Sequence, residues 1–328
     1  MSTSFPLLLQ RFFAEHLIAQ RNLSPNTIAA YRDTFRMLLA FLARTSRQSV
    51  DRLTLGAITP EAVLAFLDEL ERKRENTVRT RNARLAAIRS FARYALSAAA
   101  PEFLAVGHRL LAVPFKRGDQ PLLGYMSRDE VTALLATIDV RTKSGERDHL
   151  FFTMLYNTGA RVSELLRVRP SDVEGRVVRL HGKGRKERAV PLWPQTVRQM
   201  RRWIDREQIR NDQVLFASAR GAPLTRGGVG FRLALWLRKA ATKCESLRRR
   251  TITPHTFRHT TAMHLLQSGV AVEVIALWLG HESPNTTHLY VEADLNMKQD
   301  CLGRLAEPSP KPRRRGEYSR VLAFLEAL

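Results

Sequence analysis

Four short stretches in the second half of the chain carry residue types suited to chemistry on a phosphate. They are Tyr-Asn-Thr-Gly-Ala-Arg161-Val-Ser-Glu164-Leu, Gly-Lys183-Gly, Pro-His255-Thr-Phe-Arg258-His, and Leu-Gly-His281 leading to Tyr290. Taken singly, each has an ordinary reading. Arg161 is one basic residue among many, His255 suits the first turn of a helix as a capping or structural imidazole, and Lys183 at a hairpin tip is solvated. A single tyrosine is usually half-buried packing. Taken together and in this order, they fit phosphoryl transfer from DNA to a protein hydroxyl. The pentacoordinate transition state of a phosphodiester carries extra negative charge, and two guanidiniums, Arg161 and Arg258, suit its non-bridging oxygens because a planar fork binds two oxygens at once. A phenol with a pKa near 10 is only about 0.1% ionised at neutral pH. Tyr290 therefore needs a proton acceptor, and His255 is the candidate. The departing 5′-oxygen needs a proton, for which Lys183 is placed between two arginines that would lower its pKa. His281 can donate one more hydrogen bond. This chemistry asks for no metal or other cofactor, and the sequence shows no clustered carboxylates to bind a metal.

Helices and one hairpin must position these groups. Short β-type runs at Arg176–Leu180 and Arg188–Leu192 flank the polar loop His181-Gly-Lys-Gly-Arg-Lys-Glu187, so Lys183 is expected at a long-looped hairpin tip. Helices are expected at roughly 194–209, 226–243, 254–268 and 271–279, the third carrying His255 and Arg258. Ser127-Arg-Asp-Glu130 reads as a capping box that opens the second half. Before it, Pro114 to Gly124 has prolines, glycines and charges without a period, the pattern of a linker. The first half reads as helices. Ser24-Pro25 and Thr59-Pro60 are start signals, each followed by apolar residues at helical spacing. A third helix, roughly Thr77 to Ala98, turns Leu85, Ile88, Phe91, Ala92 and Ala95 inward. Its other face carries Arg79, Arg81, Arg84, Arg89 and Arg93, a stripe suited to phosphates or simply to water.

The charge balance favours a polyanionic partner. Among 328 residues, 53 Lys and Arg stand against 31 Asp and Glu, a formal net charge of +22 that opposes compaction by self-repulsion. Nucleic acid comes first and an acidic membrane surface second, and charge alone does not separate DNA from RNA. Two cysteines, Cys244 and Cys301, are too few for a disulfide framework and lack zinc-ligand spacing. The first residues show neither a cleavable leader nor a run long enough for a bilayer. The expectation is a reduced, cytoplasmic chain with no membrane partner.

The ordered set Arg161, Lys183, His255, Arg258, His281 and Tyr290 resembles the pattern of the tyrosine recombinases, or phage integrase family, including its Xer-type members. Thr-Gly-Ala-Arg-Val-Ser-Glu-Leu, Gly-Lys-Gly-Arg-Lys-Glu-Arg and Leu-Gly-His-Glu-Ser resemble the family's strings as well. The likeness covers roughly residues 10 to 306. It implies a mainly α protein with a small β-sheet: an N-terminal helical, SAM-like core-binding domain over 1–112, a linker over 113–126, and a mixed α/β catalytic domain over 127–306. Residues 307–328 are then a basic linker and a terminal helix. The resemblance further implies a 3′-phosphotyrosyl intermediate on Tyr290 without any cofactor, and Glu164 orienting the site. Expected DNA contacts are the arginine stripe together with Arg185 and Lys186. The expected partners are double-stranded DNA with specific core sites and a homo- or hetero-tetramer on two duplexes, formed by exchange of C-terminal helices, with partner recombinases possible. A mobile-element recombinase is the preferred role. A dimer-resolving Xer-type enzyme, a type IB topoisomerase-like enzyme and a DNA-binding protein without catalysis are the alternatives.

Overall fold

In the computed structural model, residues 4–98, 103–118, 124–182 and 186–280 are described. The chain forms two compact units that divide between Gln120 and Pro121.

The first unit is helical. Helix α1 (Phe5–Arg11) winds into a wider π-helical stretch, Phe12–Gln20, and is followed by α2 (Pro25–Ser46), α3 (Pro60–Arg74), α4 (Val78–Ala98) and α5 (Leu104–Ala112). The start signals operate as their chemistry requires: Ser24 Oγ accepts from the Thr27 amide and Thr59 Oγ1 from the Ala62 amide, each satisfying an orphan donor of the first turn. The core is aromatic. Phe12 is fully buried and meets the rings of Phe35 and Phe91 edge-on, stacks on Tyr31 and lies tilted against Tyr94. Leu85, Ile88, Phe91, Ala92 and Ala95 of α4 all face this core, as their spacing predicts.

The second unit holds α6 (Arg128–Thr137), α7 (Lys143–Thr158), the single turn α8 (Val162–Leu165), strands β1 (Val173–Glu174), β2 (Val177–His181) and β3 (Glu187–Pro191), then α9 (Pro194–Glu207), α10 (Arg226–Ala240), α11 (Pro254–Gln267) and α12 (Val272–Leu279). The strands form one antiparallel sheet in the order β1-β2-β3. Register pairs Val178 with Val190 and His181 with Glu187. Val178, Leu180 and Val190 are buried, so the period-2 pattern turns one face of the hairpin to the core. The capping box forms in both directions, Ser127 Oγ with the Glu130 amide and Glu130 Oε2 with the Ser127 amide.

The stretch between the units is pinned at both ends. Lys116 exchanges two backbone bonds with the Asn82 amide, at 2.8 and 3.0 Å. On the other side, the Met126 amide donates to Thr260 Oγ1. Within the stretch 113–126, Lys116 is thus bonded to the first unit and Met126 to the second. No helix among the described residues is long and apolar enough to cross a membrane.

Candidate active site

Arg161 is positioned by the end of one helix and the start of the next. Gly159 closes α7 in the left-handed conformation, φ +60°. A Cβ there would lie 2.4 Å from Leu279 Cδ2, so glycine is required both by its φ and by the close approach of α12. Two residues on, Arg161 caps α8. Glu164, one turn later, accepts from the Arg161 amide at 2.9 Å and from its guanidinium at 2.8 Å. Arg188 on β3 donates to the same carboxylate at 2.8 Å and to the Trp278 carbonyl at 3.0 Å. Burial pushes the Glu164 carboxyl up, but the hydrogen bond and charge of Arg188, joined by Arg161, outweigh it and hold the group below the ordinary carboxylate value. Glu164 is therefore an anion clamped between two guanidiniums, and it fixes the direction of Arg161.

Arg258 is the largest fully buried side chain described, only 2% exposed. It donates to the Gly159 carbonyl at 2.9 Å and to the Leu279 carbonyl at 2.7 Å, tying α11 to the ends of α7 and α12. His255, one turn earlier on α11, is exposed. It shares a cleft of about 380 Å³ with Arg161, lined also by Ala160, Arg226, Gly230 and Thr253. Its ring meets that of His259 edge-on, with centroids 4.6 Å apart. Burial, and then the nearby charges of His255 and Arg258, push His259 down to about 4, so it is neutral at physiological pH.

The structure thus brings Arg161 and His255 to one cleft, with Glu164 bonded to Arg161 and Arg258 bonded to the carbonyl of Gly159, the residue before cleft-lining Ala160. Lys183, Arg185, His281 and Tyr290 lie outside the described residues, as does the terminal helix expected at 318–328. Lys186 is exposed, and its carbonyl accepts from the Gly182 amide. Sequence reasoning gave no role to Arg188, His259 or Arg226. A pairing of Arg188 with Glu164 depends on strand register against α8, which no local pattern encodes.

The arginine stripe of α4 is not uniformly exposed. Arg81 is 6% exposed and paired with Glu71 at 3.4 Å. Arg84 donates to the Ala30 carbonyl and Thr34 Oγ1, and Arg89 lies over the Phe115 ring. These three arginines pack within their own unit because their long apolar stems cover the helix flank. Arg79 and Arg93 alone of the five are exposed.

Residues 124–297 match the model of the phage integrase family, and residues 9–99 match the phage integrase N-terminal SAM-like domain. The chain is 44% identical to "Putative integrase/recombinase y4rC" of Sinorhizobium fredii, over 98% of this chain and 97% of the relative. It is 34% identical to tyrosine recombinase XerC of Pelobacter propionicus, over 89% and 93% of the two chains. Among solved structures, XerH recombinase bound to its difH substrate superposes with a TM-score of 0.65 at 20% identity, covering 86% of this chain and 80% of that one. The Tn1549 transposon integrase in complex with a circular intermediate DNA gives 0.69 at 16% identity, covering 91% and 99%. At such identities the likeness shows the fold alone. Fold, cleft and sequence kinship define an enzyme of DNA strand cleavage and rejoining, a tyrosine recombinase. The chain belongs to the phage integrase family.

Proposed function

We propose that this chain recombines DNA at specific core sites through a covalent bond between Tyr290 and a 3′-phosphate. The observation that carries the reading is the shared cleft of Arg161 and His255, with Arg161 aimed by Glu164 and Arg258 bonded to the Gly159 carbonyl. Arg161 and Arg258 neutralise the transition-state phosphoryl oxygens. His255 takes the Tyr290 phenolic proton as the P–O bond to tyrosine forms and the bond to the 5′-oxygen breaks. Lys183 gives that oxygen its proton, and His281 supports the phosphate. A 5′-hydroxyl from a second duplex then attacks the phosphotyrosine and releases the phenol. The bond count is conserved at each transfer, so no high-energy cofactor is consumed.

Exposed Arg79, Arg93 and Lys186, with Arg185 by sequence, serve as phosphate contacts. Residues 1–112 form the core-binding domain, 127–306 the catalytic domain, and four protomers assemble on two duplexes through exchange of C-terminal helices. The enzyme works in the cytoplasm on double-stranded DNA, as the recombinase of a mobile element; the 44% identity to the integrase/recombinase relative y4rC supports this role.

The decisive experiment incubates the full chain with nicked duplexes cut from the DNA flanking its own gene and with a random-sequence nicked library. Protein-linked DNA is then recovered after denaturation. A DNA–peptide adduct mapping to Tyr290, absent in Tyr290→Phe, is expected. An adduct that persists in Tyr290→Phe, or no adduct on any DNA that the wild-type protein binds, overturns the assignment. Deleting 308–328 is expected to change cleavage or assembly on the recovered site.

A further inference from the structure

The hairpin ends in a charged cluster that the recombination chemistry does not use. His181 is the last residue of β2 and Glu187, its register partner, the first of β3. His181 Nδ1 lies 2.9 Å from Glu187 Oε1, and Nε2 lies 3.1 Å from Asp172 Oδ1. Asp172 belongs to a tight turn, Pro170–Asp172, and is itself fixed, since its other oxygen accepts from the Arg169 amide at 2.9 Å. Ionised carboxylates only accept hydrogen bonds. To donate to both carboxylates at once, the imidazole carries both protons, and so a positive charge. Among the described residues these two carboxylates are the charged groups that face the ring, one from the turn and one from β3.

The next residue joins the cluster to the site. The Gly182 amide donates to the Lys186 carbonyl at 2.7 Å, closing the base of the loop. A Cβ added to Gly182 would lie 3.1 Å from that carbonyl and 3.5 Å from Glu164 Oε1, so the loop base passes close to the carboxylate that aims Arg161. Lys183 follows directly in sequence.

We propose that His181, as an imidazolium, is a positioning residue that clamps the two ends of the loop carrying Lys183 and holds its base close to Glu164. The proposal rests on the reading of Lys183 as the proton donor. The bond to Asp172 raises the His181 pKa, against the opposing pull of burial, and Glu187 adds to the rise. A raised imidazole pKa means that the clamp is complete below the ordinary value of about 6.5 and is lost as pH rises through the raised one. His181 is 44% exposed on its side chain, so water screens both pairs and the effect on rate is modest, about three- to tenfold.

The test uses the full chain and begins without any reaction. The His181 ring is titrated by NMR, and exchange of the Gly182 amide is followed in wild type and His181→Gln. Wild-type His181 is expected to titrate above about 6.5, to return towards that value in Asp172→Asn/Glu187→Gln, and to protect the Gly182 amide only while protonated. Adduct formation on the recovered core site is then measured against pH. The wild-type rate is expected to exceed that of His181→Gln by about three- to tenfold near pH 6 and to converge with it as His181 deprotonates. A His181 that titrates at or below the ordinary value, or a rate ratio that does not vary with pH, overturns the clamp. Wild-type cleavage by Lys183→Ala overturns the reading of the lysine and the positioning role built on it, and the ring titration distinguishes that failure from the first.

Discussion

The two units differ in how much charge they bury: among the described residues the first buries Arg81, the second Glu130, Arg147, Asp148, Glu164 and Arg258. The first packs aromatic rings around Phe12 and Phe91, where shape and area decide stability and small shifts are tolerated. The second, around an equally apolar centre, also buries Glu164, Arg258, Arg147 and Asp148, whose partners are fixed in direction as well as distance. Asp148 alone accepts from Arg147, Arg232 and Trp236, and so fastens α10 to α7. Packing sets where an element lies, and directional bonds set which way a guanidinium points. The reacting groups of the family sequence fall in the unit that has paid for direction.

The largest effects should separate the two designs. Phe12→Ala is expected to cost about 3–5 kcal/mol, confined to the first unit and visible as an earlier thermal transition. Arg258→Ala leaves two buried carbonyls without their donor and should cost a similar 3–5 kcal/mol in the second unit, together with cleavage. A single shared transition in both variants would break the comparison. Arg161→Ala should instead leave stability nearly unchanged and lower adduct formation by about 2–4 kcal/mol of transition-state stabilisation. Equal loss of both would mean that Arg161 is structural.

Much of the first unit was legible because its signals are local. Two caps with proline in the first turn and one apolar period locate α2, α3 and α4, and the hairpin follows from alternation around a polar loop. Helix α7 was not expected, although its Thr142 cap, Gly159 terminator and apolar Leu150, Phe151, Met154 and Leu155 carry the same signals; it was hidden by a charged first turn. The order of Arg161, His255 and Arg258 was readable, but not the mode of their fixing. That mode depends on contacts between residues about 100 positions apart, such as the bond from Arg258 to the Gly159 carbonyl. Helical spacing located the arginine face of α4 but says nothing of what α2 or Phe115 places against it.

Smaller tests sharpen the contrast. His259 has a folded pKa of about 4, so the unfolded chain takes up its proton first as pH falls. Its share of stability, present above about 6.5, should be lost between there and about 4, on the order of 1–3 kcal/mol. Acid melts of wild type and His259→Gln should converge at low pH, with no matching change in the first unit. Last, Arg79→Ala and Arg93→Ala should each reduce the salt slope of DNA binding by about one, while Arg81→Ala should chiefly destabilise its helix. A full slope change from Arg81→Ala would return it to the DNA face.

The carbonyls that hold Arg258 belong to the carboxyl ends of α7 and α12, where the peptide dipoles of each helix leave partial negative charge. A guanidinium fixed by a carboxylate gives up most of its field to that partner. One bonded to two helix ends is held by partial charges that do not titrate, so pH leaves those two bonds in place. Two helix termini thus fix the buried guanidinium of Arg258, and any shift of either helix end would be passed to it.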